Sequence, residues 1–188
     1  MVSDTHRTSE VFDGIRILFG KSDQDRQPVN VNEIILAVLQ SSRRELEDHN
    51  VEVCTELASE LPLIDGHKRQ LEEVISNLVH NAIEAMGVST DRDRVLRVST
   101  LLNGHDAIAV AVQDSGPGID PKRIDNMFAA FFTTKSHGMG LGLAICRMII
   151  EHHGGYLSAL SDGKNGALFQ FALPVESVRA PQRALSDS

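Results

Sequence analysis

The stretch from His67 to Met86 constrains the rest of the chain most. Leu71, Val74, Leu78, Ala82 and Ala85 recur at helical spacing and lie on one face, which has to be covered by a second layer. The other side carries Glu73, Asn77, His80, Asn81 and Glu84. Asn costs up to about 0.7 kcal/mol relative to Ala inside a helix. Asn77 and Asn81, four apart, share a face. This pattern reads either as a wet pocket or as a solvated outer surface.

The covering layer is legible as strands. Val51 to Leu57 alternates, as do Val95 to Leu101 and Ala107 to Val112, the latter two joined by Asn103-Gly104. Tyr156 to Leu160 and Leu168 to Leu173 flank a turn over Asp162 to Gly166. A second helix is predicted from near Gly140 to the cap pair Gly154-Gly155. A brief strand at Val29 and Val31 precedes a helix capped by Asn32 and running to Asp48. The outcome is an α+β sandwich, one mixed sheet with helices packed on one face. Ahead of it, Val11, Phe12, Ile15, Leu18 and Phe19 stripe a short helix, and Gly20 to Pro28 reads as a linker. After Pro174 the tail has little to bury.

Composition narrows the function classes. With 188 residues, 41% of them hydrophobic, a packed core is available. A net charge of −8 argues against a nonspecific nucleic-acid or anionic-membrane binder. No run approaches the roughly 18 apolar residues of a membrane span. Cys54 and Cys146 match no metal or redox spacing and read as core residues in a reducing compartment. A cytoplasmic domain is expected.

Three short motifs carry chemistry. Gly20-Lys21-Ser22 is not one of them: Ile15 stands where a phosphate loop needs its glycine, and no strand precedes it. The Asn pair is the first. Asp114-Ser115-Gly116-Pro117-Gly118-Ile119, directly after a strand, is the second. A carboxylate there accepts from an exocyclic amine, while the glycines let the backbone pass close to a flat ligand; a plain Gly-Pro turn is the alternative. Gly138-Met139-Gly140-Leu141-Gly142 opens a helix whose free amides and dipole favour an anion.

The order of these motifs resembles the nucleotide-binding catalytic domain of sensor histidine kinases, in the GHKL superfamily that includes DNA gyrase and heat-shock chaperones. Asn77 to Ala82 is similar to the N box, Asp114 to Ile119 and Gly138 to Gly142 to the glycine boxes, and Phe128 to Phe132 to the F box. Gly166 to Pro174 is similar to the closing strand. Phe131 to Lys135, with its short lid and the run Gly138 to Leu143 (GMGLGL), looks closest to the nitrogen-regulation and oxygen-sensing branch. Ala130 stands where that F box commonly has Pro.

The resemblance implies a Bergerat-type two-layer sandwich, with the ATP site between helices and a mobile lid over Phe128 to His137. It implies that Asp114 holds the adenine amine, with Gly116, Gly118 and Ile119 beside it. Asn81 and Asn77 would hold Mg²⁺, and Gly140, Leu141 and Gly142, with Gly138, would meet the phosphates. Lys135, Thr134, His80 and Phe128 complete the expected nucleotide contacts, and Asn77, Asn81 and Lys135 the catalytic set. Hydrolytic relatives carry Glu where Asn77 stands; an amide takes no proton, and imidazole is already a nucleophile, which favours phosphotransfer. Glu73 is assigned no role.

The expected partners are ATP, a phosphoacceptor histidine hairpin of the same full-length kinase, which would be a homodimer, and a cognate response regulator. His6 reads as a solvated helix-terminal residue, so residues 1–20 are taken as the end of the hairpin's second helix. Residues 21–28 are taken as linker, 29–175 as the catalytic domain and 176–188 as a disordered tail. A nucleotide-binding module without transfer, a gyrase-type ATPase and a serine kinase of the same fold remain alternatives.

Overall fold

The computed structural model describes residues 26–88, 92–104, 106–132 and 140–175. Twelve elements follow in order: β1 (Gln27–Val29), α1 (Val31–Ser41), α2 (Arg43–Asp48), β2 (Glu52–Leu57), β3 (Ile64–Gly66), α3 (Lys68–Gly87), β4 (Val95–Asn103), β5 (Ala107–Asp114), a 3-10 turn (Pro121–Arg123), α4 (Gly142–His152), β6 (Tyr156–Leu160) and β7 (Leu168–Pro174). Five strands form one sheet in the order β2-β4-β5-β7-β6. β2 runs parallel to β4 and the remaining pairs are antiparallel, so the sheet is mixed.

Alternation decides which face is covered. Leu96, Val98, Ile108, Val110, Val112, Phe169, Phe171 and Leu173 point inward and are buried. They meet α3 through Leu71, Val74, Ile75, Leu78, Val79, Ile83 and Met86, and α4 through Cys146, Ile149 and Ile150. Ile34, Ile35 and Val38 of α1 extend the same core. On the outer face Arg97, Leu101, Gln113, Tyr156 and Leu160 are exposed. The helices therefore lie on one side of the sheet, as the sequence predicts. No helix among the described residues is long and apolar enough to cross a membrane.

The structure corrects the first turn of the domain. Val31 is the first residue of α1, because Val31, Ile34, Ile35 and Val38 form one buried helical stripe. The cap is Asn30, whose Oδ1 accepts from the amides of Asn32 and Glu33. Asn32 donates instead to the Ala58 carbonyl at 2.8 Å and accepts from the buried Thr100 hydroxyl at 2.8 Å. The helix expected to reach Asp48 is interrupted at Ser42; Ser41 turns its hydroxyl back onto the Val38 carbonyl. Gln27 and Pro28, read as linker, pair with Gly66 and Asp65 of β3, a strand absent from the sequence prediction. The predicted leading helix and the tail beyond Val175 lie outside the described residues.

Candidate functional site

The site is organised along one stripe of α3. Asn77, Asn81 and Ala85 are successive fourth residues, so they stack on a single side and span about 12 Å of helix. All three are half-buried. The Asn81 Nδ2 donates to the Asn77 Oδ1 at 2.7 Å, which fixes both amides.

Two glycine-bearing segments close on the ends of this stripe. At the Asn77 end sits the start of α4. A Cβ on Gly142 would come within 2.6 Å of the Asn77 Nδ2 and 3.0 Å of its Oδ1, so only a glycine brings this backbone so near. At the Ala85 end sits the loop after β5. A Cβ on Gly116 would lie 3.3 Å from the Ala85 carbonyl and 2.8 Å from the Asp114 Oδ1. Ala85, expected on the buried face, is half-buried beneath this loop. Asp114, the two Asn amides and the α4 N-terminus thus lie along a common stripe.

Asp114 ends β5 and is 4% exposed. Its own amide donates to the Ala167 carbonyl of the chain leading into β7, and its Oδ1 accepts the Gly116 amide at 2.8 Å. Burial pushes its carboxyl above the ordinary carboxylate range, and the backbone hydrogen bonds only partly oppose this.

α4 begins without a side-chain cap, because Leu141 carries no acceptor. Its first amides therefore lack the partner that Ser, Thr, Asp or Asn would give them. Ahead of it, the Gly140 carbonyl accepts from the Phe131 amide at 3.0 Å. Phe131 itself is exposed and takes a left-handed φ of 66°.

Two expected nucleotide contacts have partners within the protein. Phe128 is buried at the core, edge-on to Phe169 at 6.5 Å and beneath the Arg147 guanidinium at 5.7 Å, which anchors its segment. The His80 imidazole lies 2.8 Å from Glu45 of α2 and 3.6 Å from Glu84, a carboxylate setting that disfavours an anion. Thr134, Lys135 and Gly138 lie outside the described residues, as do His137 and the second half of the expected lid.

Of the two cysteines expected in the core, Cys146 lies there, whereas Cys54 is only half-buried on the edge strand β2. Cys146 is buried, and burial, helped by the charge of Glu73, raises its thiol pKa. His153 is a buried residue at the C-terminus of α4. Its Nδ1 donates to the Ile149 carbonyl at 2.7 Å and its Nε2 accepts the His67 amide at 3.0 Å. Among the described residues, no group of three or more His, Cys, Asp or Glu side chains gathers to hold a metal. Ser161, which the sequence does not single out, accepts the Ile119 amide at the far end of the Asp114 loop; a serine opening a turn with two glycines was the available signal.

Residues 66–177 match the family described as histidine kinase-, DNA gyrase B- and HSP90-like ATPase. The sensor protein TdiS of Thauera aromatica is 34% identical over 93% of this chain, which spans 32% of that protein's length. The chain thus spans about a third of this relative. The solved catalytic domain of the histidine kinase ThkA superposes with a TM-score of 0.71 at 33% identity, covering 80% of this chain and 96% of that one. ThkA in complex with the response regulator TrrA matches at 29% identity and a TM-score of 0.70, over 90% of this chain and 48% of that one.

Proposed function

Because this chain belongs to the histidine kinase-, DNA gyrase B- and HSP90-like ATPases, as a catalytic domain of the histidine kinase type, we propose that it binds Mg-ATP along the α3 stripe and transfers the γ-phosphoryl group to a histidine. The observation that carries this reading is the approach of Gly116 and Gly142 to opposite ends of one helix stripe, with two amides between them.

Asp114 would accept the exocyclic amine of adenine, with its Oδ1 already steadied by the Gly116 amide. Gly116, Gly118 and Ile119 would form the backbone wall beside the purine. The amides opening α4, at Leu141 and Gly142, would receive the terminal phosphates, aided by the helix dipole. Asn77 and Asn81 would present amide oxygens to Mg²⁺. The donor chemistry fits: a side-chain amide offers an oxygen, the atom a hard cation prefers, and the Asn81–Asn77 bond sets the two amides side by side. Mg²⁺ needs few protein ligands when phosphate oxygens and water supply the rest. When bound, the ion neutralises charge on the β- and γ-phosphates.

In the transfer, an imidazole nitrogen lone pair attacks the γ-phosphorus while the bond from that phosphorus to the β-bridging oxygen breaks. Phosphohistidine and ADP result. Asn77 cannot accept a proton, so this stripe offers no general base at that point for activating a water. The acceptor we propose is a histidine on a dimerising helical hairpin of the longer protein, with a cytoplasmic response regulator downstream.

Mixing this chain with [γ-³²P]ATP, Mg²⁺ and the separately purified hairpin tests the reading. Label on the hairpin histidine is the expected result. Steady release of inorganic phosphate without label would favour an ATPase, and nucleotide binding with neither would favour a binding module.

A further inference from the structure

The turn between β6 and β7 does more than join two strands. Ser161, the residue after β6, is half-buried beneath the Asp114 loop. Its hydroxyl oxygen accepts the Ile119 amide at 2.9 Å and the Gly163 amide at 3.2 Å, while its hydrogen goes to the Gly166 carbonyl at 2.6 Å. One side chain thus ties its own turn closed and holds the far end of the loop 42 residues away.

The near end of that loop is keyed by the same turn. A Cβ on Gly166 would fall 1.9 Å from the Asp114 carbonyl oxygen, so the turn backbone lies directly against Asp114. Gly118, with φ +83°, is pressed between the Lys164 amide and the Ser161 hydroxyl, 2.8 and 2.9 Å from where its Cβ would stand. The turn is itself stiffened by Asp162, whose carboxylate accepts the amides of Lys164 and Asn165 at 2.8 Å each and the Asn165 side chain at 2.6 Å. Both ends of the Asp114 to Ile119 loop therefore rest on one braced support.

We propose that Ser161 is a positioning residue for purine recognition: its hydroxyl sets the height of the Gly118–Ile119 backbone over the ligand, so that the slot beside Asp114 is preformed. The residue touches no nucleotide. Its effect passes through the Ile119 amide, and it rests on the nucleotide reading given above.

Ser161→Ala leaves two amides without their acceptor. The affinity for ADP is expected to fall about tenfold, while GDP, which the slot does not fit, is weakened far less, so the ADP-to-GDP preference shrinks. Amide hydrogen exchange at Ile119 and Gly163 should quicken. Ser161→Thr, which keeps the hydroxyl, should restore both properties. Calorimetry with ADP and GDP on the 188-residue chain, alongside exchange measurements, reads these outcomes. Unchanged ADP affinity in Ser161→Ala would overturn the proposal while leaving the nucleotide reading intact. An equal loss for ADP and GDP, or a collapse of the fold that Ser161→Thr does not rescue, would also overturn it, since either marks a merely structural role. Failure of the unaltered chain to bind ADP would instead remove the nucleotide reading and this proposal with it.

Discussion

Asn81 donates its side-chain amide to the Oδ1 of Asn77 one helical turn earlier, at 2.7 Å, so the two asparagines of α3 act as one fixed unit. Removing Asn81 takes away both a proposed metal oxygen and the group that orients its neighbour. Asn81→Ala should therefore lower Mg-ATP affinity by tenfold or more and abolish the difference between titrations with Mg²⁺ and with EDTA. Calorimetry that still shows an undiminished metal dependence would remove Asn81 from the site.

Gly142 tests the packing at the other side of Asn77. Gly142→Ala places a methyl 2.6 Å from the Asn77 Nδ2, an overpacking that costs about 1–3 kcal/mol. In an Asn77→Ala background the obstacle is gone, and Ala is a better helix former than Gly. The second substitution should then be close to neutral. A double-mutant cycle by urea denaturation measures the coupling; additive effects would mean that α4 does not bear on Asn77.

Asp114 separates stability from binding. Its raised pKa means that the folded state holds the charged form at a cost, and Asn at this position keeps an oxygen for the Gly116 amide. Asp114→Asn should melt at the same temperature or higher, yet lose at least tenfold in ADP affinity, since its amide meets the adenine amine donor to donor. In the unaltered chain, ADP affinity should begin to fall at a pH above the ordinary carboxylate range, as the protonated acid stops accepting. Melting curves and calorimetry from pH 7.5 downward follow both effects.

His153 should make the fold sensitive to mild acid. Burial lowers its pKa, and Arg26, His67 and His152 face it with further unfavourable charge. In the unfolded chain it titrates near about 6.5. Between that value and the lower native one the unfolded state binds the extra proton, so stability falls as pH drops through the ordinary histidine value and levels off below the native pKa. His153→Asn should be less stable at pH 7.5 but flatter across this window. An unfolding midpoint that changes equally with pH in both proteins would count against the assignment.

What the sequence disclosed depended on the length of each signal. The α3 stripe and strands β4 to β7 are long enough for periodicity to show, and their placement follows the prediction. β1 and β3 are three residues each and pair across some 35 positions of chain, so neither carries a pattern of its own. The cap was read at Asn32 because Val29 and Val31 alternate like a strand, whereas burial of Val31 with Ile34 decides for a helix. Asp114 and the two Asn residues were legible as chemistry. The shared face of Asn77 and Asn81 was legible as well. The seating of the glycine segments at its two ends was not readable from spacing, because the contacts of Gly116 with Ala85 and of Gly142 with Asn77 join parts of the chain far apart in sequence. The packing of Phe128 was hidden for the same reason: its neighbours Phe169 and Arg147 come from distant parts of the chain.

The two-stranded ribbon of β1 and β3 has a mechanical consequence. β3 ends at Gly66, His67 follows, and α3 starts at Lys68. Tension applied to the backbone ahead of Gln27 is borne by the ribbon's rungs and delivered, one residue later, to the root of the helix that carries Asn77 and Asn81. A load carried by β1 thus reaches the first turn of that helix by a route only a few peptide units long.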